Sequence, residues 1–221
     1  MSDPSEILNA RLINGPLDAS ATLLLAHGAG GAMDSPFMGL IASGLSTCGW
    51  RVVRFEFAYM TKQRLTGQRS APDRLPKLKQ VFSDQVLLEV SHRPLFIGGK
   101  SLGGRVASIL ADELSNQLNV LGCLCLGYPF HPLGKPQQLR TEQLATQRTP
   151  TLILQGERDA MGCKGEVETY TLSPNVTLQW IPAGDHSFKP TKSSGYTEAQ
   201  NIAAVVQHAN NFCRSILNLN D

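Results

Sequence analysis

The chain reads as an α/β protein with a doubly wound, mostly parallel sheet of about six to seven strands and helices on both faces. Three observations predict this. Short apolar runs alternate with longer helix-forming stretches along the sequence, the pattern of a parallel sheet with crossover helices. Several of those runs, Thr22–Ala26 and Thr151–Gln155 among them, read as buried strands. The run Leu95 to Gly104 is an apolar strand ending in Gly-x-Ser-x-Gly, with a helix-forming stretch directly behind it.

The elements follow in order. Ala10 to Ile13 reads as an edge strand. Thr22 to Ala26 is the first main strand and ends in His27-Gly28-Ala29-Gly30-Gly31. Ser35-Pro36 reads as an N-cap with proline in the first turn, and the helix it opens runs to about Cys48 and stops at Gly49. Arg51 to Phe57 is the next strand. Pro72 to Val90 reads as a helix, with Pro76 near its start. Leu95 to Gly99 is a strand and Leu102 to Asn116 its helix. Val120 to Gly127 and Thr151 to Gln155 are two further strands. Glu166 to Tyr170 suggests a short helix, Val176 to Ile181 the last strand, and Thr197 to Leu217 a closing amphipathic helix. There is no internal repeat or linker, and 221 residues suit one domain spanning 1–221.

Composition narrows the class. The chain is 42% hydrophobic and 17% charged, which is globular, and its net charge of +2 argues against nucleic acid as a bulk electrostatic partner. The N-terminal residues lack a signal-peptide pattern, and no stretch is long enough to span a membrane. The five cysteines show no disulfide framework. Cys123 and Cys125 alternate within one strand and read as free buried thiols facing the same side. A reduced, cytoplasmic protein is expected, without a metal.

Gly99-Lys100-Ser101-Leu102-Gly103 matches the nucleophile-elbow pattern of serine hydrolases. A serine on such a turn projects its hydroxyl above the sheet edge. Cβ atoms at positions 99 and 103 would collide with the neighbouring strand or helix. A nucleotide-binding turn fits less well, because the run lies mid-chain and the strand after it carries no acidic residue. A phosphate-binding loop ending in Gly-Lys-Ser would need glycine where Pro94 stands.

An activated serine needs a histidine to take its proton and a carboxylate to orient that histidine. In a doubly wound sheet such groups collect at the carboxyl ends of strands. His92 precedes the elbow strand, at its wrong end, and His208 lies inside the final helix. His27 belongs to the first glycine-rich loop and reads as a brace for it. His131 follows the strand after the serine. His186, in the turn-rich Pro182–Phe188 loop after the last strand, is the candidate base. Asp159, after the strand Thr151–Gln155, is the candidate orienting acid. Glu157 is its rival unless it pairs locally with Arg158, and Asp185 is poorly placed to reach around to Nδ1. The backbone N–H groups of Leu102 and Ala29 are the candidate oxyanion donors.

Taken together, His-Gly-x-Gly-Gly, Gly-Lys-Ser-Leu-Gly-Gly, Gln-Gly-Glu-Arg-Asp and Gly-Asp-His-Ser-Phe resemble the α/β-hydrolase superfamily. The chain is similar to a compact, lidless branch related to the dienelactone hydrolases. The segments Arg54–Met60 and Gly127–Pro132 resemble a branch that includes the testis-expressed and chromatin-complex hydrolase-like proteins. The dienelactone enzymes use a cysteine nucleophile where this chain has Ser101, so the resemblance does not carry lactone specificity across. It implies a Ser–His–Asp serine hydrolase without a cofactor, acting on a carboxylic ester, thioester or related acyl bond.

Two connectors remain. Ala58 to Lys79 holds six basic residues against Asp73 and reads either as a solvated basic loop or as a rim that attracts an anionic acyl substrate or partner. Tyr128 to Arg148 stands where many hydrolases insert a lid, but it is too short for one, so an open site is expected. Arg64, Arg69, Tyr128 and His131 are the candidate substrate-binding residues. A non-catalytic interaction module, or an acyltransferase using the same triad, is the alternative reading. Oligomeric state is not legible.

Overall fold

The computed structural model describes residues 11–90 and 93–219; Ala10 and His92 lie outside them. The strands among these are β1 (Arg11–Asn14), β2 (Thr22–Ala26), β3 (Arg51–Phe55), β4 (Leu95–Lys100), β5 (Val120–Leu126), β6 (Thr151–Gly156) and β7 (Val176–Ile181). The helices are α1 (Pro36–Thr47), α2 (Ala58–Thr66), α3 (Leu75–Leu87), α4 (Leu102–Gln117), α5 (Glu142–Thr146), α6 (Lys164–Val167) and α7 (Glu198–Ile216).

The strands form one sheet in the order β1-β3-β2-β4-β5-β6-β7. Only β1 is antiparallel, pairing Arg11 with Phe55 and Asn14 with Val52. Every residue of β2, β4 and β6 is buried, as strands covered on both faces must be. Chain order reverses between β2 and β4: β3 lies to one side of β2, and the chain then crosses to β4 on the other. That switch point opens a crevice at the carboxyl ends of β2 and β4, where Ala26 pairs with Gly99.

Side chains sort by face. Leu24, Val53, Phe55, Ile97 and Ile153 pack with Leu78 and Phe82 of α3 and with Val106, Leu110 and Leu114 of α4. Leu23, Leu25, Phe96, Leu124 and Leu154 pack with Met38, Ile41 and Leu45 of α1 and with Val205, Ala209 and Cys213 of α7. Each fully buried Leu, Ile or Phe contributes about 1.5–3 kcal/mol relative to exposure, so these two layers fix the strand ends firmly. Helix α7 starts with a capping box, Thr197 Oγ1 accepting from Gln200 N while Gln200 Oε1 accepts from Thr197 N.

Three expectations are corrected. The segment from Ala58 is not a loop: it begins with α2, which ends at Gly67 in the left-handed region (φ 68°). Its buried residues, Tyr59, Met60 and Thr61, are consecutive, so no helical periodicity shows in the sequence. The polar stretch before Arg148 contains α5, anchored by Leu144. The short helix expected at Glu166–Tyr170 is α6 and starts two residues earlier. Among the described residues no lid domain stands over the sheet. All five cysteines are free, with Cys123 and Cys125 both buried. Among the described residues no helix is long and apolar enough to cross a membrane.

Candidate active site

Ser101 is the N-cap of α4 and has φ 51° and ψ −111°. Such a conformation costs a non-glycine residue about 1–3 kcal/mol. Its surroundings hold it there: Ser101 N donates to Leu126 O at 3.0 Å, and Arg105 N donates to Ser101 O at 2.9 Å. The glycines permit the turn. A Cβ on Gly99 would lie 2.3 Å from Ala26 O, and one on Gly103 would lie 2.5 Å from Ala26 O and 2.7 Å from His27 O. Both collisions are with the end of β2, so the elbow can rise only where neither position carries a side chain.

Three residues from three strand ends meet at this turn. His186 Nε2 lies 2.8 Å from Ser101 Oγ, and its Nδ1 lies 2.7 Å from Asp159 Oδ2. Asp159 is fully buried. Its Oδ1 accepts from Met161 N at 2.9 Å and its Oδ2 from Gln155 Nε2 at 2.8 Å. A carboxylate acceptor facing Nδ1 places the imidazole proton there, which leaves the Nε2 lone pair to accept from the serine hydroxyl.

The rival acids are occupied elsewhere. Glu157 pairs with Lys164, not with the neighbouring Arg158, and accepts from Ala183 N. Asp185 accepts from Ser187 N and Lys189 N, which shapes the loop carrying His186.

His27 is fully buried at the other side of the crevice. Its Nε2 accepts from Phe57 N at 3.1 Å and its Nδ1 donates to Gly28 O at 2.7 Å. Burial holds its pKa below the ordinary value, and the neutral ring ties the end of β2 to the end of β3. Tyr59 Oη donates to Gly28 O at 3.2 Å and, more weakly, to Ala29 O at 3.4 Å. Burial, with the Asp73 and Glu56 carboxylates, pushes the phenol pKa well up, so it remains a donor. Because a trans peptide points C=O and N–H in opposite directions, an inward Gly28 carbonyl turns the Ala29 N–H outward. Leu102, the first residue of α4, has no intrahelical acceptor for its N–H.

Ser101 and His186 open onto a cavity of about 440 Å³. The glycine-rich loop 28–31 forms one wall, the first turn of α1 (Pro36, Phe37, Met38) another, and Lys100, Met161 and Ser187 complete it. Sequence reasoning missed the α1 wall and Lys100. The place of Lys100 beside the serine, at a strand end, was the available signal.

The expected substrate-binding residues fare differently. Tyr128 is fully buried, its hydroxyl donating to Arg140 O, and it does not line the cavity. His131 is buried against Glu166 and the Pro132 carbonyl. Arg64 is held by Asp34 and Glu56, so its charge is already matched. None of these three lines the cavity beside Ser101. Arg69 is exposed and lines a second pocket, which shares Ala29 and Gly30 with the cavity.

Known structures share this architecture. The dienelactone hydrolase of Anabaena variabilis aligns at 22% identity and a TM-score of 0.66, covering 91% of this chain and 89% of that one. A serine hydrolase without a lid from Xanthomonas campestris aligns at 18% identity and 0.66, covering 91% and 88%. Est1E from Butyrivibrio proteoclasticus aligns at 13% identity and 0.68, covering 92% and 93%. At these identities the likeness establishes the fold. The profile of the alpha/beta hydrolase domain family matches residues 19–214, nearly the whole of the described chain, and the protein therefore belongs to the alpha/beta hydrolase family.

Proposed function

We propose that this chain is a serine hydrolase that cleaves a carboxylic ester or thioester through an acyl-enzyme. One observation carries the reading: a continuous relay from Asp159 through His186 to a serine on a strained turn, with both hydrogen bonds at 2.7–2.8 Å. A scaffold has no physical need of a strained serine aimed at an imidazole.

In this reading Ser101 Oγ attacks the acyl carbon as its proton passes to His186 Nε2. Asp159 keeps the other imidazole proton on Nδ1 and stabilises the imidazolium. The N–H groups of Leu102 and Ala29 donate to the oxyanion. His186 then protonates the leaving group, and water repeats the sequence on the acyl-enzyme. The reaction needs no cofactor. Arg69, which pairs with no carboxylate among the described residues and lies beside the Ala29–Gly30 wall, would meet an anionic group on the substrate.

A fluorophosphonate probe tests the proposal. Labelling at Ser101, mapped on the peptide and lost in Ser101→Ala, is the expected result. Absence of labelling in folded wild-type protein would sink it. A p-nitrophenyl ester panel of increasing chain length, with a competing alcohol, then reports acyl preference and separates hydrolysis from acyl transfer.

A further inference from the structure

We propose that Lys100 is a positioning residue for the base, its buried ammonium gripping the backbone carbonyl of His186 and so fixing the aim of the imidazole at Ser101. The inference rests on the triad reading above. Lys100 ends β4 beside the serine, and its Nζ donates to His186 O. The residue is only 8% exposed. Its ammonium faces two aromatic rings, Phe37 at 5.2 Å and Phe188 at 5.8 Å from the ring centroids. Gly127 completes the slot. A Cβ there would stand 2.7 Å from Lys100 Nζ and 2.6 Å from His186 O, so any side chain at 127 would force the two apart.

Segments from α1, from the end of β5 and from the loop after β7 thus close around one ammonium. Packing does not explain a charge here. A buried ammonium is costly, and methionine would fill the space between two phenyl rings without that cost. What the lysine adds is a charged donor whose bond ends on the backbone of the base itself. The charged groups that face it are Asp159, at the end of β6, and Asp185, in the base's own loop. Both attract the ammonium, but burial outweighs them and brings its pKa down to about 8. Above that pH the neutral amine loses its attraction to the carboxylates and the ring faces, and its N–H becomes a weaker donor.

Full-length Lys100→Met protein tests this. Fluorophosphonate labelling and ester hydrolysis are followed from about pH 6 to about pH 10, beside thermal melting. The expected result is a fall in kcat of about 10–100-fold with KM within about twofold, and no drop in Tm. The wild-type rate should decline as pH rises through about 8, and the variant should lack that limb. Aminoethylation of K100C, made with Cys48 and Cys163 replaced by serine, rebuilds the ammonium and should recover most of the rate. If Lys100→Met fails to fold, K100C before and after aminoethylation decides the matter. Wild-type labelling with an unchanged rate and pH profile in the variant overturns this inference alone. An unlabelled wild type overturns the triad reading and this inference with it.

Discussion

The two loops that flank Ser101 are held by opposite chemistry. At its start, Gly28–Ala29, the loop after β2 hangs from neutral groups: the His27 ring, locked between Phe57 N and Gly28 O, and the Tyr59 hydroxyl; charged groups, Arg54 on Met33 O and Arg64 on Asp34, hold only its far end. Around His186 the loop after β7 hangs from charged ones: the Lys100 ammonium on the His186 carbonyl, and the Asp185 carboxylate on two backbone N–H groups; the neutral Asn201 amide ties its two ends, Pro182 and Phe188. In the proposed mechanism the first loop presents only fixed backbone dipoles to an oxyanion, and a neutral scaffold suffices. The second carries the group that gains and loses a proton. Each scaffold then has its own pH limit. Protonation of His27 would break the first from the acid side, and deprotonation of Lys100 would weaken the second from the alkaline side.

The largest expected effects lie in the charged loop and its partner. His186→Ala and Ser101→Ala should each lower kcat by about 10⁴-fold or more, and Asp159→Asn by about 10⁴-fold, because an amide in place of the carboxylate favours the wrong imidazole tautomer. Steady-state kinetics on one ester checks all three. The double variant Ser101→Ala/His186→Ala should be scarcely worse than either single one, since the two residues act as a unit. Additive losses would break the relay reading.

The sheet and the relay were legible because their signals are local and strong. Gly99-x-Ser101-x-Gly103 is short-range geometry, and Asp159 and His186 sit directly behind two apolar runs. What was not legible depends on distant partners. The charge of Arg64 looked free when only its own segment was counted, yet Asp34 lies thirty positions upstream and Glu56 lies on the preceding strand's exit. Tyr128 looked like a rim residue, yet the buried Gln155 amide and Arg140 carbonyl draw it into the interior. Lys100 posed the reverse problem. A lysine reads as solvent-facing, and only the fold shows two phenyl rings and a missing Cβ at Gly127 around it.

A middle-sized effect tests the neutral loop. His27→Ala leaves Phe57 N without its partner, leaves Gly28 O only the long bond from the Tyr59 hydroxyl, and opens a void, a loss of about 2–4 kcal/mol readable by urea denaturation at neutral pH. The folded pKa of His27 is held below its ordinary value near 6.5 by burial. Over the interval between the two values the unfolded chain binds more protons, so stability falls as pH drops below about 6.5. The variant should lose that slope. Lys100 has the opposite consequence. Its folded pKa of about 8 lies below its ordinary 10.5, so its contribution to stability rises between those values while the rate declines. Alkaline inactivation without unfolding is the signature that tells the two loops apart.

The smallest effect belongs to Tyr59. Its hydroxyl divides between two carbonyls, and both bonds, at 3.2 and 3.4 Å, are long for an O–H donor. A bond of that geometry contributes at the low end of the usual range, about 0.5 kcal/mol. Tyr59→Phe keeps the ring stacked near Phe57 and the T-shaped contact with His27, so packing survives. The variant should lose only the pull on the Gly28 and Ala29 carbonyls. A two- to fivefold drop in kcat, an unchanged KM and an unaltered pH profile are expected. A drop as large as that of Lys100→Met would mean that the neutral loop depends on the phenol as heavily as the base loop depends on its ammonium. The contrast between the two loops would then rest on His27 alone.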